Sequence, residues 1–417
     1  MLYYSTRDKE KKNGISASDA ILKGLANDGG LFVPEKLPKF ESLSASLPYP
    51  EFAAAVLKPF FKGDLLENEL LEICRSAFNF PLVLNPVNNY SVLELFHGPT
   101  AAFKDFGARF LAASMEKLLT LNNNELTILV ATSGDTGGAV ASAFYQREHL
   151  SVKVLFPKGR VALRQKKQLT VWGDNVSSYE VEGSFDDCQK MVKQAFMDPN
   201  NTNLSSANSI NLGRLLPQMV YYVYTSTLYF EKTGLKPNFI IPSGNVGNCT
   251  GAYWALEMGA PINCITLAVN ENKTIPDYLA TKVYTPRPSV QTLANAMDVG
   301  APSNMERLFN LYPTYEEFSA KVSAYSVSDE EIKETIKQTY KEDNYICCPH
   351  TATGIKIYHS LNNPKDTIVV STAHPAKFET VVEPLIGQKV EIPPSLKALL
   401  DKKSNYKEIG TDYHSLF

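Results

Sequence analysis

The sequence predicts an α/β protein with two open α/β domains, their parallel-strand cores facing each other across a cleft, and a mainly helical region at the N-terminal end. Three observations predict it. From residue 126 onward, short apolar runs alternate with longer amphipathic ones, the signature of a parallel sheet covered by helices. Two of the short runs end in glycine turns that open a helix, and ligands bind at the carboxyl ends of parallel strands in such sheets. The 417 residues, 44% apolar and 20% charged, suffice for more than one lobe of ordinary globular composition. The expected divisions are 1–85 for the N-terminal region, 86–235 for a smaller lobe and 236–417 for a larger one, with the lobes interleaved.

Taken in order, "SASDAILKGLANDGGLFVPEKLP" reads as a helix capped near Ser18 and stopped at the Asp28-Gly29-Gly30 turn. "PYPEFAAAVLKPFFKG" and "LLENELLEICRSAFNF" are two further helices. "LELFHGPTAAFKDFGARF" (Leu93–Phe110) reads as a strand end, a turn and a helix. Then "LTILVATSG" is a strand and "TGGAVASAFYQREH" a helix. "SVKVLFPKG", "RVALRQKKQLTVWG", "VSSYEVEG" and "SFDDCQKMVKQAFMD" repeat the alternation. "LGRLLPQMVYYVYTSTLYFEKTG" is a long helix in which Pro217 marks either the first turn or a kink. "NFIIPSGNVGNCTGAYWALEMG" is again strand, glycine turn and helix, and "INCITLAVN" another strand. "SDEEIKETIKQTYKEDN" carries a capping box, Ser328 with Glu331, and its charges mark a solvated helix. "DTIVVSTAHPAKF" supplies a last strand and loop.

The net charge of -3 points to no nucleic-acid partner and no basic membrane face. No run is long enough to span a bilayer, and "MLYYSTRDKEKKNG" has no apolar signal stretch. The six cysteines (Cys74, Cys188, Cys249, Cys264, Cys347 and Cys348) fit no metal or redox spacing. The adjacent Cys347-Cys348 reads as two packed thiols, so a reducing, cytoplasmic setting is expected. The six histidines are scattered, and no metal site is expected.

Four segments carry the chemistry-bearing residues. In "PSGNVGNCTGA" (Pro242–Ala252) a buried strand meets two glycines and two asparagines before a helix. Glycines admit close backbone approach, and free N–H groups at a helix start favour a phosphate. It is neither a dinucleotide fingerprint nor a P-loop, and an ordinary turn stands beside the anion reading. "ATSGDTGGA" (Ala131–Ala139) adds three hydroxyls and Asp135, which either cap the next helix or grip a carboxylate or phosphate. "SANSINLGR" (Ser206–Arg214) is either a capped helix with a surface arginine or an arginine fork for phosphate. Lys104 stands between Phe103 and Phe106, with Gly107 beyond. A lysine in partly apolar surroundings has a lowered pKa and can act as an amine nucleophile, whereas most lysines are simply solvated.

"FHGPTAAFKDFG" resembles the cofactor-lysine segment of threonine synthases, pyridoxal-phosphate enzymes of fold type II in the tryptophan synthase β family. The resemblance runs through "YYSTR", "LANDGGLFVP", "TSGDTGGA", "FPKGRV", "VEGSFDDCQ", "SANSINLGRLLPQ", "PSGNVGNCTGA" and "STAHPAKF". It is to the bacterial and fungal branch, without the plant branch's regulatory N-terminal region. It implies that Lys104 carries pyridoxal 5'-phosphate and that Gly244, Asn245, Val246, Gly247 and Asn248 cradle its phosphate. Thr372 is implied to hydrogen-bond the pyridine nitrogen. Thr132, Ser133, Gly134 and Thr136 are implied to receive the substrate, with Asn208, Ser209 and Arg214 completing the clamp on its phosphate. Asp135 stands where many fold type II relatives place an asparagine against the cofactor ring hydroxyl. The bacterial and fungal branch carries this aspartate.

The implied reaction converts O-phospho-L-homoserine and water to L-threonine and phosphate, with Lys104 moving most of the protons. Two alternatives keep the fold: a serine or threonine dehydratase or β-replacement synthase, and a non-catalytic binding protein. His97 reads as structural or catalytic, and Lys158 and Arg160 as phosphate-attracting or ordinary loop charges. The chain is expected as a monomer or homodimer, with a small-molecule substrate.

Overall fold

The structure, a computed structural model, describes residues 1–132 and 134–417. Strands β1 (Tyr3–Ser5) and β2 (Phe32–Pro34) pair antiparallel near the N-terminus. Next come β3 (Val83–Val87) and β4 (Tyr90–Glu94), an antiparallel hairpin. The alternating region gives β5 (Leu126–Ala131), β6 (Leu150–Pro157), β7 (Val176–Val181) and β8 (Leu204–Ser206). The remaining strands are β9 (Asn238–Pro242), β10 (Cys264–Val269), β11 (Ser323–Ser326), β12 (Thr367–Ser371) and β13 (Lys407–Ile409).

Two sheets result. The smaller has the order β13-β7-β6-β5-β8 and is parallel throughout. The larger has the order β11-β10-β9-β12-β4-β3 and is parallel except for the terminal hairpin. Helices cover both faces of a parallel sheet, so central strands lose the in–out alternation of a half-wet sheet; β12 is buried at every position. Neither sheet keeps to one stretch of chain. β4 pairs with β12, and β13 crosses back from the far end of the chain to β7. A division at residue 235 therefore separates strands that are hydrogen-bonded neighbours.

The helices Ala17–Lys23, Tyr49–Leu57 and Leu70–Ala77 pack on the long helices Lys104–Asn122 and Leu212–Thr233. Their contribution to the site is indirect but specific. Phe106, fully buried two residues after Lys104, is ringed by Tyr49, Phe78, Phe80 and Tyr221 at centroid distances of 4.8–5.9 Å. Each such aromatic pair adds about 0.5–1.5 kcal/mol beyond area burial, so the N-terminal region locks the helix that begins at Lys104.

Several expectations are corrected. The first helix is capped by Ser16, whose side chain accepts from Asp19 N, and it ends at Gly24 with φ 71° rather than at the Asp28–Gly30 turn. Ser18 instead donates to Asp64, with N and Oγ both on that carboxylate. The third helix starts only at Leu70, because Asp64 and Glu67 spend their carboxylates on local turns. The helix Leu212–Thr233 runs through Pro217, which lies inside it. The sequence predicts none of the strands β1, β2, β3, β8, β11 and β13, nor the helix Pro349–Ser360. The Ser328–Glu331 capping box is present.

Candidate active site

The carboxyl ends of β5 and β9 open onto one cleft of about 910 Å³. Lys104, Thr132, Asp135, Thr136, Asn208, Ser209, Arg214, Thr372 and the run Gly244, Asn245, Val246, Gly247 and Asn248 all line it. Ser133 lies outside the described residues. Gly134 is not part of the lining; its φ of 151° belongs to glycine, and a Cβ there would press on Gln165 at 2.9 Å.

Lys104 is presented by a loop stitched at both ends. Leu95 N donates to Ser371 O, Phe103 N to Thr372 O and His374 N to Ala101 O, at 2.9–3.1 Å. The loop turns on Asp105, whose carboxylate accepts from Thr100 N and Oγ1. A Cβ at Gly98 would meet that carboxylate at 2.5 Å, so only glycine fits. Lys104 then starts the helix Lys104–Asn122 with its side chain largely buried, 14% exposed. Burial pushes its amine down to about 8, with Lys377 and Arg214 adding to the fall and Asp135 opposing it. A poised amine of this kind suits proton transfer near neutrality.

The turn after β9 is built for an anion. Val246 caps the helix Gly247–Met258 at φ 66°, without a side-chain cap bond. Left-handed backbone is costly for a β-branched residue, and here it opens a helix that lines the cleft and whose first N–H groups have no side-chain cap. A Cβ at Gly244 would meet Met297 Cα at 2.6 Å. Asn245 is tied on every side: Nδ2 donates to Ser209 Oγ at 2.7 Å, Oδ1 accepts from Ser303 N at 2.6 Å, and O accepts from Asn304 Nδ2 at 3.1 Å. Asn248 Oδ1 accepts from Tyr221 and Tyr222 hydroxyls, which leaves its buried Nδ2 without a partner among the described residues.

The turn after β5 divides its labour. Thr132 Oγ1 accepts from Gly134 N at 3.0 Å and Gly137 N at 2.9 Å, so this hydroxyl caps the helix Asp135–Phe144. Thr136 lines the cleft half-buried. Asp135 is buried and its Oδ1 accepts from Lys377 Nζ at 2.7 Å and Gln165 Nε2 at 3.1 Å. Burial pushes this carboxyl up, but Lys377 and then Lys104 outweigh it and hold the group well below the usual carboxylate range.

Arg214 is buried, contrary to the surface reading. Its Nη1 donates to Ala207 O at 2.6 Å, while Nε has no partner among the described residues. None of the ion pairs of the described residues involves it. Burial pulls its guanidinium down to about 10. A Cβ at Gly107 would meet Arg214 O at 2.8 Å and Nε at 2.9 Å, so that glycine lets the Lys104 helix come close to the arginine.

Three buried side chains that sequence reasoning missed complete the setting. Lys377 sits against Asp135 and donates to Thr100 O at 2.9 Å. His350 lines the cleft, accepts from Ala296 N at 3.1 Å, and is pushed down to about 4 by burial. Arg307 donates to Phe32 O, Ile210 O and Asn304 Oδ1, joining the N-terminal region to the loops carrying Ser209 and Asn245. "PAKF" places Lys377 between Ala376 and Phe378, a setting as apolar as the two phenylalanines near Lys104 in "AFKDF", and that is the signal that could have marked it. His97 pairs with Glu94 at 2.8 Å outside the cleft lining, and Lys158 forms exposed ion pairs with Glu182 and Glu408; Arg160 is an exposed residue of the lining.

A largely buried amine thus shares one cleft with a glycine-bearing helix N-terminus and a buried guanidinium that forms no ion pair among the described residues. The donor set fits pyridoxal phosphate: an amine for its aldehyde, and a glycine cradle with an orphaned N–H donor for its phosphate. Comparison with known proteins agrees. The family described as "Pyridoxal-phosphate dependent enzyme" matches residues 85–372, "Threonine synthase N terminus" 2–78, and "Threonine synthase, C-terminal" 351–416. The threonine synthase of Escherichia coli is 35% identical over 100% of this chain and 98% of its own, and that of Saccharomyces cerevisiae 33% over 98% and 95%. The crystal structure of PLP-bound threonine synthase from Brucella melitensis superposes with a TM-score of 0.92 at 34% identity, covering 100% of this chain and 98% of that one.

Proposed function

The chain belongs to the threonine synthase family of fold type II pyridoxal-phosphate enzymes, and we propose that it converts O-phospho-L-homoserine and water to L-threonine and phosphate. It is a pyridoxal-phosphate-dependent lyase. The observation that carries the choice of substrate is the pair of anion sites served by one amine: the Gly244–Asn248 turn and the buried Arg214, which forms no ion pair among the described residues, line the cleft that holds Lys104. One anion site would suffice for a cofactor phosphate. The second suits a substrate that brings its own phosphate, which a serine dehydratase or a β-replacement synthase does not need.

The bound cofactor supplies an electron sink for the carbanion character that develops next to the amino-bearing carbon. In our reading the rest falls to the chain. Lys104 holds the cofactor and, when freed, takes and returns protons at its Nζ. Gly244, Asn245, Val246, Gly247 and Asn248 hold the cofactor phosphate through backbone N–H groups and Asn248 Nδ2. Thr372, buried and with its carbonyl fixed by Phe103 N, offers a neutral hydroxyl to the pyridine nitrogen. Asp135 faces the ring hydroxyl. Asn208, Ser209 and Arg214 hold the substrate phosphate, while Thr136, Ser133 and the backbone near Gly134 hold its carboxylate end. Thr132 serves through the turn it caps. The burial of the amine keeps bulk water from the proton-transfer steps.

All six cysteines are free, which suits a reducing cytoplasm. No helix of the described residues is long and apolar enough to cross a membrane. The test is phosphate release: cofactor-loaded protein given O-phospho-L-homoserine should yield equal amounts of phosphate and threonine, and little turnover with serine. No phosphate from the first substrate would sink the reading.

A further inference from the structure

We propose that Lys377 is a positioning residue of the active site: coming from the other sheet, it occupies one oxygen of Asp135, so that the second oxygen of that carboxylate is the one left toward Lys104 and the cofactor. The proposal deepens the reading above and rests on it.

The geometry divides the carboxylate. Oδ1 accepts from Lys377 Nζ at 2.7 Å and from Gln165 Nε2 at 3.1 Å, while Oδ2 stands 3.9 Å from Lys104 Nζ. The Lys377 and Asp135 side chains are only 1% and 3% exposed. A lysine this deeply buried is rare unless paired. A buried pair stabilises less than its Coulomb attraction suggests, because desolvation opposes it, so stability alone is a weak reason for its presence. Its placement is more telling. Asp135 follows β5 of the smaller sheet and Lys377 follows β12 of the larger one, so the pair ties the two sheets together beside Lys104. A second proton of Lys377 goes to Thr100 O, which also accepts from Gln168 Nε2 at 2.9 Å. This fixes the ammonium at the loop that presents Lys104.

Two consequences for Lys104 act in the same direction. The fixed cation repels a second positive charge, and it draws Asp135 away from pairing fully with Lys104. Both favour the unprotonated nitrogen. The other titratable groups facing the trio are Arg214, Asp105, His350 and Cys348. Burial keeps His350 neutral and pushes the Cys348 thiol up. Asp105 is satisfied by Thr100, and Arg214 is a second cation acting the same way as Lys377.

The test is a spectrophotometric pH titration of the holoenzyme, in which the absorbance of the cofactor joined to Lys104 reports the protonation of that nitrogen. In Lys377→Met the midpoint should move to higher pH by about one unit or more, a tenfold or larger gain in proton affinity. Lys377→Arg keeps the charge and should restore the wild-type midpoint. A purely structural lysine would change the melting temperature and leave the midpoint in place, and that outcome overturns the proposal. If Lys377→Met does not fold, Lys377→Gln keeps a donor to Thr100 O and discards the charge, and a wild-type midpoint there overturns it equally. A holoenzyme preparation with no visible absorbance would overturn both this proposal and the cofactor reading, whereas a coloured enzyme whose midpoint ignores residue 377 overturns this proposal alone.

Discussion

Lys104 Nζ stands 3.9 Å from Asp135 Oδ2, near enough for strong attraction and beyond hydrogen-bond distance. The amine is therefore held in the cleft without being committed to a partner there. An amine kept this way costs stability, since burial disfavours its charged form more than Asp135 favours it. Conformational closeness and chemical freedom are bought together at this one position.

Lys104→Met should abolish activity and visible cofactor absorbance while making the apoprotein more stable near neutral pH. The amine falls from 10.5 to about 8 on folding. The folded state thus binds fewer protons between those values, and wild-type stability rises with pH across that window. Below it the penalty is fully present, on the order of 3 kcal/mol. Urea unfolding of both apoproteins at pH 7 and pH 10 checks this. A methionine variant less stable than wild type at pH 7 would refute the burial argument.

Asn248→Asp isolates a single donor. The carboxylate can still accept from Tyr221 and Tyr222, as Oδ1 does now, but the orphaned Nδ2 becomes a negative oxygen. Cofactor affinity should fall by at least about 3 kcal/mol, roughly a hundredfold. Equilibrium titration of apoprotein with pyridoxal phosphate measures it. Unchanged affinity would remove Asn248 from the phosphate cradle.

Arg214→Ala should retain the cofactor and lose substrate. Removing a buried guanidinium from its anion costs about 2–5 kcal/mol in such contacts, and the loss should appear in kcat/KM for O-phospho-L-homoserine. The absorbance spectrum should stay that of wild type. A spectrum lost along with activity would mean that Arg214 holds the cofactor phosphate instead.

What the sequence made legible was mostly local. The turns after β5 and β9 each place strand, glycines and helix within a dozen residues, so Gly244 and Asp135 could be named with their setting. Lys104 declared itself by its apolar flanks. Lys377 also has apolar neighbours, in "PAKF", but it meets Asp135 from the other sheet, and no spacing within one segment reveals such a meeting. The β3 strand was obscured by Pro86, tolerated because β3 is the edge of its sheet. The helix Pro349–Ser360 begins with Cys348 as its cap, an unusual residue in that role, so "CCPH" read as thiols and not as a helix start. Arg214 looked like a surface residue because burial of a cation with no ion pair among the described residues contradicts composition rules, and such contradictions gather at functional sites.

His350 and His374 should make the protein labile to mild acid. Each accepts a backbone hydrogen bond through an unprotonated ring nitrogen, His350 Nε2 from Ala296 N and His374 Nδ1 from Ala376 N. Burial pushes both from 6.5 down to about 4, with His97 adding to the effect at His374. The unfolded chain then binds more protons between pH 6.5 and 4, so stability falls as pH is lowered through that window. For fully buried His350 the loss is on the order of 3 kcal/mol, and for the partly exposed His374 it is smaller. His350→Asn offers an amide oxygen to Ala296 N without the titration. Its melting temperature should fall less than that of wild type between pH 7 and pH 4.5, and its activity at pH 7 should stay within about tenfold, since a histidine neutral at that pH and spent on a backbone N–H moves no proton. A larger loss of activity with a normal melting curve would make His350 a proton carrier rather than a support for the Asn295–Met297 turn.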